Sequence, residues 1–338
     1  MADDAVLIGL DWGTTSMRAY LIGRRGDVLE RRASAAGIMQ VADGDFGGTL
    51  GDVIGDWLEA APALPVLAAG MIGSRQGWRE VPYVPCPAGL GELAAGLATV
   101  TLRTGRVVHL VPGVVRAGGA SGFPDVMRGE ETQILGAMAG GGSRCFVLPG
   151  THSKWAWTTD GGIDRFSTYM TGEVYACLCQ HTILGRLMSG RDADPGAFDR
   201  GLGQARASAR AAPGQLLHDL FSARTLGLMG ELPAGGLASY LSGLLIGAEV
   251  VAAAADAGPA GPTTRPGAGG PRPPVGLGEW QRSVRGHRWH GAALVPGVFT
   301  SCAGRIVRAA GQRLARRGPE RLLAGLVRGA APRGRGLR

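Results

Sequence analysis

The tetrapeptide pattern Gly-Thr-x-Ser occurs twice in this chain, at 13–16 and at 150–153, and each copy lies between two apolar segments that are expected to form strands. A tight turn of this composition presents backbone N–H groups and hydroxyls in a small concavity, which suits the oxygens of a phosphate. Two such turns predict two half-domains that clamp one polyphosphate. This arrangement is typical of a kinase or an ATPase.

The segments around the two turns follow the same order, which argues against a pair of unrelated hairpins. After the first turn, strands are predicted at 17–22 and 28–32, and a helix follows whose apolar residues share one buried face. After the second turn, strands are predicted at 154–158 and 163–170, joined by an Asp-Gly-Gly hairpin signal and followed by a helix from about 172 to 188. The apolar face of the first helix comprises Leu50, Val53, Ile54, Trp57 and Leu58.

Composition limits the cellular setting. The chain has 338 residues, of which 45% are hydrophobic, so it is long enough for two domains with substantial cores. We expect no apolar run of the roughly 20 residues that span a bilayer, and the N-terminus lacks the basic region of a secretory signal. The five cysteines have neither zinc nor redox spacing, which favours buried thiols in a reducing compartment. The expected localisation is cytoplasmic, with no membrane partner.

The first turn carries a carboxylate at its mouth. Asp11 follows a predicted strand and could hold Mg²⁺ through water, because magnesium keeps several waters and takes one or two carboxylates. The alternative is that Asp11 only accepts hydrogen bonds from the N–H groups of the turn. Arg18 lies two residues beyond the turn and would add positive charge for a transferring group. The residues predicted to bind nucleotide in the two turns are Asp11, Gly13, Thr14, Thr15, Ser16, Gly150, Thr151, His152 and Ser153.

Six motifs together resemble those of the 2-dehydro-3-deoxygalactonokinase family. They are DWGTTS at 11–16, AGMIGSRQGWREVPY at 69–83, MRGEETQILGA at 127–137, PGTHSKW at 149–155, MTGE at 170–173 and SGLLIGAE at 242–249. The resemblance covers about 5–256 and implies an α/β fold of duplicated ribonuclease-H-like (actin-like ATPase) domains with a cleft between them. It also implies transfer of the γ-phosphate of ATP, with Mg²⁺, to the 6-hydroxyl of 2-dehydro-3-deoxy-D-galactonate in galactonate catabolism.

The resemblance and the composition together divide the chain into four parts. A first ribonuclease-H-like domain at 1–105 holds the first phosphate turn and the substrate loop, and a second at 106–256 holds the base and the second turn. A Gly/Pro-rich linker is predicted at 257–274, followed by a basic tail at 275–338.

The catalytic base of related sugar kinases is an aspartate that starts a helix before the second phosphate turn, where this chain has GEETQILG at 129–136. A carboxylate there can accept the proton of the attacking hydroxyl. We prefer Glu130 as the base, with Glu131 as the alternative; a third interpretation is that these acids only complement the helix dipole. Lys154, the single lysine among 35 basic residues, would supply a mobile charge beside the second turn, unless it is a solvated strand lysine.

A keto-sugar acid needs a cation for its carboxylate and donors for its hydroxyls. Arg128, next to the predicted base, can form a bidentate pair with a carboxylate. The loop after the apolar strand at 65–69 lies where ligands of α/β proteins commonly bind. Trp78 and Tyr83 could wall this pocket, although each could equally be a core aromatic. The predicted substrate residues are Arg18, Gly70, Met71, Gly73, Ser74, Trp78 and Arg128.

The resemblance ends after residue 256. The chain has a net charge of +8, and 257–338 contain fifteen arginines against two acidic residues. A frameshift, a divergent C-terminus and a basic arm that attracts nucleic acid non-specifically are the three interpretations; no motif for specific nucleic-acid recognition is present. The resemblance implies that the family continues here with elements that close the adenine pocket, and their pattern is not found in this sequence. Without them ATP binding would be weaker, so the alternative function is that of a non-catalytic relative that binds a sugar acid or a nucleotide. The sequence does not fix the oligomeric state.

Overall fold

A computed structural model describes residues 4–118, 122–138, 142–190, 193–211 and 214–256. The predicted linker and basic tail, 257–338, lie outside the described residues. The strands are β1 (Ala5–Trp12), β2 (Met17–Gly23), β3 (Val28–Ser34), β4 (Val66–Ala69), β5 (Val84–Pro85), β6 (Ala88–Gly89), β7 (Ala98–Thr101), β8 (Val107–Leu110), β9 (Val114–Arg116), β10 (Asp125–Met127), β11 (Arg144–Leu148), β12 (Ser153–Thr159) and β13 (Gly162–Tyr169). The helices are α1 (Phe46–Ala60), α2 (Leu90–Ala95), α3 (Glu130–Ala137), α4 (Thr171–His181), α5 (Pro195–Ala211), α6 (Leu216–Leu220), α7 (Ser222–Leu228) and α8 (Leu237–Asp256).

As far as the structure describes them, these elements form two compact units. The described residues up to 142 and Trp157–Arg165 belong to the first unit, and Ser143–Ala156 and the described residues of 166–256 belong to the second. The first unit runs beyond residue 105, where the sequence suggested a boundary, because β8 pairs with β4 on one side and with β7 on the other.

The main sheet of the first unit has the strand order β3-β2-β1-β4-β8-β7. Strands β1, β2 and β3 form an antiparallel meander, and β4 and β8 then continue the sheet parallel to β1. Helix α1 is the crossover between β3 and β4, as a parallel connection requires. This confirms the predicted ribonuclease-H-like α/β fold in the first half of the chain.

Helix α1 packs on this sheet through the face that the sequence predicted. Its N-cap is Asp45, whose Oδ1 accepts a hydrogen bond of 2.9 Å from Gly48 N. Leu50, Ile54 and Trp57 are buried in the same core as the side chains of β1 and β4, with Val53 and Leu58 packed at its edge.

Strands β11, β12 and β13 are neighbours in that order. This repeats the strand order of β1, β2 and β3. The hairpin between β12 and β13 turns at Asp160 and Gly161, whose φ angles of 48° and 94° are those of the primed turn that an Asp-Gly pair predicts.

Helix α4 ends at His181, earlier than the predicted limit near residue 188, and a separate 3-10 turn covers Gly185–Leu187. The Thr182 hydroxyl donates to Leu178 O at 2.6 Å and accepts from Leu184 N at 3.2 Å. A threonine side chain that bonds the backbone in this way competes with the helical ladder, which explains the early end.

Helices α5 and α8 make the core of the second unit, and a glycine lets them approach closely. A Cβ atom on Gly243 would lie 2.0 Å from Phe198 O, so a larger residue does not fit there. This packing accounts for one glycine of the SGLLIGAE motif.

Helix α8 corrects the expectation that no apolar run approaches membrane-spanning length. It has 20 residues with a mean hydropathy of 1.7 over its most apolar window, and is the one described helix with the length and composition to cross a membrane. Of that window, 61% is buried inside the protein. Since a buried helix of this kind is common in protein cores, α8 is weak evidence for a membrane span.

The prediction of buried thiols holds only in part. Among the described cysteines, Cys86, Cys145 and Cys179 are half-buried, whereas Cys177 is exposed. Cys177 lies on α4, whose residues other than Thr171 are half-buried or exposed. Burial raises the pKa of the Cys86 thiol to about 11, which disfavours its reactive thiolate.

Candidate functional site

The first phosphate turn joins β1 to β2 at the end of the main sheet. Gly13 N donates to Ser16 O at 2.9 Å, which closes the turn. The backbone of residues 38 and 39 donates to Gly13 O and Thr14 O at 3.0 and 3.2 Å. The side chains of Thr14 and Thr15 are exposed and that of Ser16 is half-buried. The four predicted residues therefore form one rigid turn whose hydroxyls are accessible.

Asp11 lies beside this turn and forms an ion pair with Arg18. The two residues face each other across β1 and β2, and Arg18 Nη1 donates to Asp11 Oδ2 at 3.0 Å. The pKa of Asp11 is raised above its usual value, mainly because the carboxyl group is buried. The positive charge of Arg18 opposes this shift, and the negative charge of Glu130 adds to it. The carboxylate of Asp11 thus lies within electrostatic reach of the predicted base and of a guanidinium.

Two glycines bring the predicted substrate loop, residues 70–78 after β4, and the start of α3 to the same place. Strands β1 and β4 are parallel, with Asp11 opposite Ala69, so Gly70 follows at the same edge of the sheet. Gly70 and Gly129 have φ angles of 97° and 110°, which other residues rarely adopt. A Cβ atom on Gly70 would lie 2.8 Å from Trp12 O, and one on Gly129 would lie 3.3 Å from Gly70 Cα.

Glu130 and Glu131 at the start of α3 have different surroundings. Glu130 is half-buried, and its Oε2 accepts from Arg128 N at 3.1 Å. Glu131 is completely buried, with Oε2 accepting from Gly129 N at 2.6 Å and Oε1 from the Thr132 hydroxyl at 2.9 Å. Glu131 is therefore held on both oxygens at the start of α3, whereas Glu130 accepts a backbone hydrogen bond from Arg128 N and interacts electrostatically with Asp11.

Burial, assisted by the charge of Glu130, raises the pKa of Glu131 from 4.5 to about 7. In this interval the folded protein keeps a proton that the unfolded chain releases, so the free energy of unfolding should fall as the pH rises from 4.5 to about 7. Glutamine does not titrate, so Glu131→Gln should not show this fall. We therefore expect the free energy of unfolding of Glu131→Gln, relative to that of the unsubstituted protein, to be about 2 kcal/mol higher at about pH 8 than at about pH 5. Urea unfolding at both pH values measures this change, and a stability difference that is the same at both would contradict it.

Arg128 and the substrate loop line a cavity of about 300 Å³ in the first unit. Its walls comprise Met71, Ser74, Arg75, Gln76, Glu80, Tyr83 and Arg128. Trp78, a predicted substrate residue, instead stacks on Phe46 at a centroid distance of 6.0 Å and meets the edge of Trp12 at 6.3 Å. It thus follows the alternative interpretation, a core aromatic, because the loop turns its ring towards α1.

The second phosphate turn lies in the second unit and packs on the start of α4. Glu173 N donates to Thr151 O at 3.0 Å, and the Glu173 carboxylate contacts His152 Nε2 at 2.5 Å. Thr151 and His152 are exposed and Gly150 is half-buried. Thr151 and His152 are therefore accessible to a ligand, as the prediction of a phosphate site requires.

Ser153 and Lys154 differ from the other residues of this turn, because both are buried at the start of β12. The Ser153 hydroxyl donates to Glu249 Oε1 at 2.7 Å, so it is held by α8. Lys154 is 5% exposed and has an interaction partner, so it is neither the mobile charge nor the solvated strand lysine that the sequence suggested. Strand β12 lies between β11 and β13, and its residues from Ser153 to Thr158 are all buried, so side chains on both faces of the strand are covered.

Glu249 is a structural residue of this turn that sequence reasoning missed. Besides Ser153, its Oε1 accepts from Trp155 Nε1 at 2.7 Å, and Glu249 itself is 5% exposed. One signal for it was present in the sequence, because Glu249 is an acidic residue at the end of the apolar SGLLIGAE segment. A carboxylate that is buried with such a segment needs hydrogen-bond donors from elsewhere in the protein.

Replacing Glu249 with Ala should lower the free energy of unfolding by about 2–4 kcal/mol, because two buried donors lose their acceptor. Glu249→Gln retains an acceptor oxygen and should lose less. Urea unfolding of both variants measures this order, and an alanine variant as stable as the unsubstituted protein would show that these hydrogen bonds do not hold the turn.

Comparison with known proteins places the chain in one family. Residues 11–265 match the family model described as 2-keto-3-deoxy-galactonokinase. A "Probable 2-dehydro-3-deoxygalactonokinase" of Rhizobium meliloti (strain 1021) is 39% identical over 267 residues, which are 77% of this chain and 84% of that protein. The 2-dehydro-3-deoxygalactonokinase of Escherichia coli (strain K12) is 36% identical over 244 residues, 72% of this chain and 78% of that protein.

A solved structure agrees with these matches. The crystal structure of a protein from Sinorhizobium meliloti, described as "a putative 2-dehydro-3-deoxygalactonokinase protein", has a TM-score of 0.69 and 33% identity. The similarity covers 91% of this chain and 99% of that one. The motifs, the fold and these relatives agree, and the chain therefore belongs to the 2-keto-3-deoxy-galactonokinase family.

Proposed function

We propose that this chain is an ATP-dependent kinase that transfers the γ-phosphate of ATP to the 6-hydroxyl of 2-dehydro-3-deoxy-D-galactonate. Family membership and relatives named for this reaction support the substrate. The observation that carries the proposal is the convergence of the first phosphate turn, Asp11 and Glu130 at one edge of the first unit. Phosphoryl transfer uses this combination of hydrogen-bond donors to the phosphate oxygens, a carboxylate that binds the metal ion and a base that accepts the proton of the nucleophile.

Glu130 is the proposed base, and its surroundings support this role over Glu131. It is half-buried at the start of α3, near Asp11, whereas Glu131 is enclosed and bonded on both oxygens. A base must reach the proton of the attacking hydroxyl, so accessibility is decisive. Glu130 would accept the proton of the 6-hydroxyl while that oxygen attacks phosphorus.

The residues at the first turn fit Mg²⁺ with ATP. The described part of the chain contains no group of three or more His, Cys, Asp or Glu side chains that could form a protein-only metal site. Mg²⁺ in kinases instead takes one or two carboxylates together with waters and phosphate oxygens, and Asp11 would provide such a carboxylate. When bound, Mg²⁺ would neutralise the charge that develops on the phosphate groups.

The second turn would contact the phosphates of ATP through its exposed part. Gly150, Thr151 and His152 are the accessible residues that support this role. Ser153 would instead support the turn through Glu249, and Lys154 would act electrostatically from a buried position. Arg18, which is paired with Asp11, would position that carboxylate.

The domain organisation, the cellular location and the partners of the protein are also part of the proposal. We infer two ribonuclease-H-like domains, a cytoplasmic location, and a small sugar acid as the partner, without membrane or specific nucleic-acid partners. The relatives named as sugar-acid kinases support this inference.

The proposal is tested by measuring ADP release from the purified chain with ATP, Mg²⁺ and either the galacto sugar acid or its gluco epimer. We expect release that depends on the galacto compound, with the phosphate on its 6-oxygen by NMR. If folded protein binds the sugar acid without releasing ADP, the non-catalytic alternative is correct. If it neither binds nor phosphorylates the acid, the proposed substrate is wrong.

A further inference from the structure

We propose that Arg128 and Ser74 form a dedicated site for the carboxylate end of a 2-oxo acid, in the cavity of the first unit. The inference rests on the proposed function, because it names the part of the substrate that this cavity recognises. It also predicts how the enzyme rejects neutral sugars that resemble its substrate.

The guanidinium of Arg128 is buried with donors to spare. The residue is 8% exposed, and its Nη2 donates to Val81 O at 2.8 Å. Its Nε and Nη1 are buried and have no hydrogen-bond partner among the described residues. A buried cation is costly unless an anion and further hydrogen bonds satisfy it. The site therefore favours a negatively charged ligand.

Ser74 supplies a second donor in the same cavity. Its hydroxyl oxygen is buried and, within the described chain, also has no hydrogen-bond partner. Gly73, the preceding residue, lies against Arg128, since a Cβ atom there would be 3.0 Å from Nη1. A carboxylate bound at this position can accept from Nη1 and from the serine hydroxyl, which is a charge-assisted arrangement.

The walls of the cavity hold the guanidinium in one orientation. Arg128 Cζ lies 4.2 Å from the centroid of the Tyr83 ring, so the cation stacks on the aromatic face. At the mouth, Arg75 pairs with Glu80 at 3.5 Å, which offsets the negative charge of Glu80. Tyr83 is a positioning residue, because it would affect ligand binding only by orienting Arg128.

The cavity of about 300 Å³ is at the lower end of the size range for small-molecule sites. It therefore suits the carboxylate and the adjacent ketone of the sugar acid. Arg128 immediately precedes Gly129 and the proposed base Glu130, so binding the acid end here would orient the remainder of the substrate relative to the base. A neutral ketose would leave the buried donors unpaired and should be rejected strongly.

The test compares two ligands in two proteins. The ligands are the sugar acid and the 3-deoxy ketose of the same configuration whose C1 is a primary alcohol. The proteins are the unsubstituted chain and Arg128→Gln, with Arg103→Gln as a control that removes the same charge from an exposed position between β7 and β8. Binding is measured by calorimetry without ATP, and 2-oxobutanoate serves as a competing probe that carries only the carboxylate and the ketone.

We expect the unsubstituted chain and Arg103→Gln to prefer the acid by roughly 100-fold, and Arg128→Gln to lose this preference. ATP affinity should be unchanged in all three. If Arg128→Gln does not fold, Arg128→Lys and Ser74→Ala take its place, and each should reduce the preference by roughly ten-fold through the loss of one or two hydrogen bonds. Equal preference in all folded variants would overturn the inference.

The inference and the proposed function can fail separately. If 2-oxobutanoate binds in an Arg128-dependent way while the sugar acid is not phosphorylated, the carboxylate site is correct and the substrate is wrong. If the sugar acid is phosphorylated with the same KM in the unsubstituted and Arg128→Gln proteins, the kinase is correct and the carboxylate site is wrong.

Discussion

Replacing Glu130 with Gln should lower kcat by roughly 10²–10⁴-fold, because the amide cannot accept the proton of the attacking hydroxyl. The substitution keeps the size of the side chain and an acceptor oxygen for Arg128 N, so the start of α3 should stay in place. Binding of the sugar acid, measured without turnover, should change little. The measurement is kcat by coupled ADP release, together with calorimetric titration of the acid.

Two matched variants separate this effect from a general loss of charge. Glu59→Gln removes an exposed carboxylate from α1 and should keep full turnover. Glu131→Gln alters the buried neighbour and should affect stability and its pH dependence more than kcat, since Glu131 is bonded to Gly129 N and Thr132. A Glu130→Gln variant with unchanged turnover would exclude Glu130 as the base, and a larger loss in Glu131→Gln would transfer the role to that residue.

Replacing Asp11 with Asn should lower kcat by roughly 10²–10³-fold and raise the Mg²⁺ concentration needed for half-maximal activity. The amide retains an oxygen but loses the negative charge that would attract the metal ion. The substitution also weakens the ion pair with Arg18, in which Arg18 Nη1 donates a hydrogen bond to Asp11 Oδ2 at 3.0 Å. Measuring kcat over a Mg²⁺ titration separates the two effects, because added metal should restore part of the activity only if the carboxylate binds the ion.

Arg18→Gln is the comparison for this variant, since it breaks the same ion pair and keeps the carboxylate. Its Mg²⁺ requirement should be unchanged or lower, because Asp11 loses a competing cation. Asp52→Asn, an exposed position on α1, controls for the change in net charge. An Asp11→Asn variant with the same Mg²⁺ requirement as the unsubstituted chain would show that Asp11 only supports the turn.

Much of the fold could be predicted because its signals are local. The strands around each Gly-Thr-x-Ser turn follow from short apolar segments bounded by turn residues. The buried face of α1 follows from its helical spacing, and Leu50, Ile54 and Trp57 do lie in the core. The end of α4 was misplaced because the Thr182 hydroxyl bonds the backbone at a position that periodicity does not reveal.

The candidate site was predictable as a set of residues but not as an arrangement. The sequence indicated Arg128, Ser74 and Trp78 together as substrate residues. The structure brings Arg128 and Ser74 to one cavity, whereas Trp78 packs against Phe46 and Trp12 in the core. The direction in which a loop side chain points depends on contacts with distant elements, and the sequence of the loop alone does not specify them.

The sequence by itself therefore determined the family, the strands and helices that flank the two Gly-Thr-x-Ser turns, and the positions of these turns, because these depend on short motifs and local spacing. Only the tertiary structure decided that Glu131 is enclosed while Glu130 lies near Asp11, that Lys154 is buried, and that Glu249 holds Ser153 from 96 residues away. The physical reason is that burial and hydrogen-bond partners are set by residues far apart in the chain. These contacts decide which of several chemically similar side chains is available to a ligand.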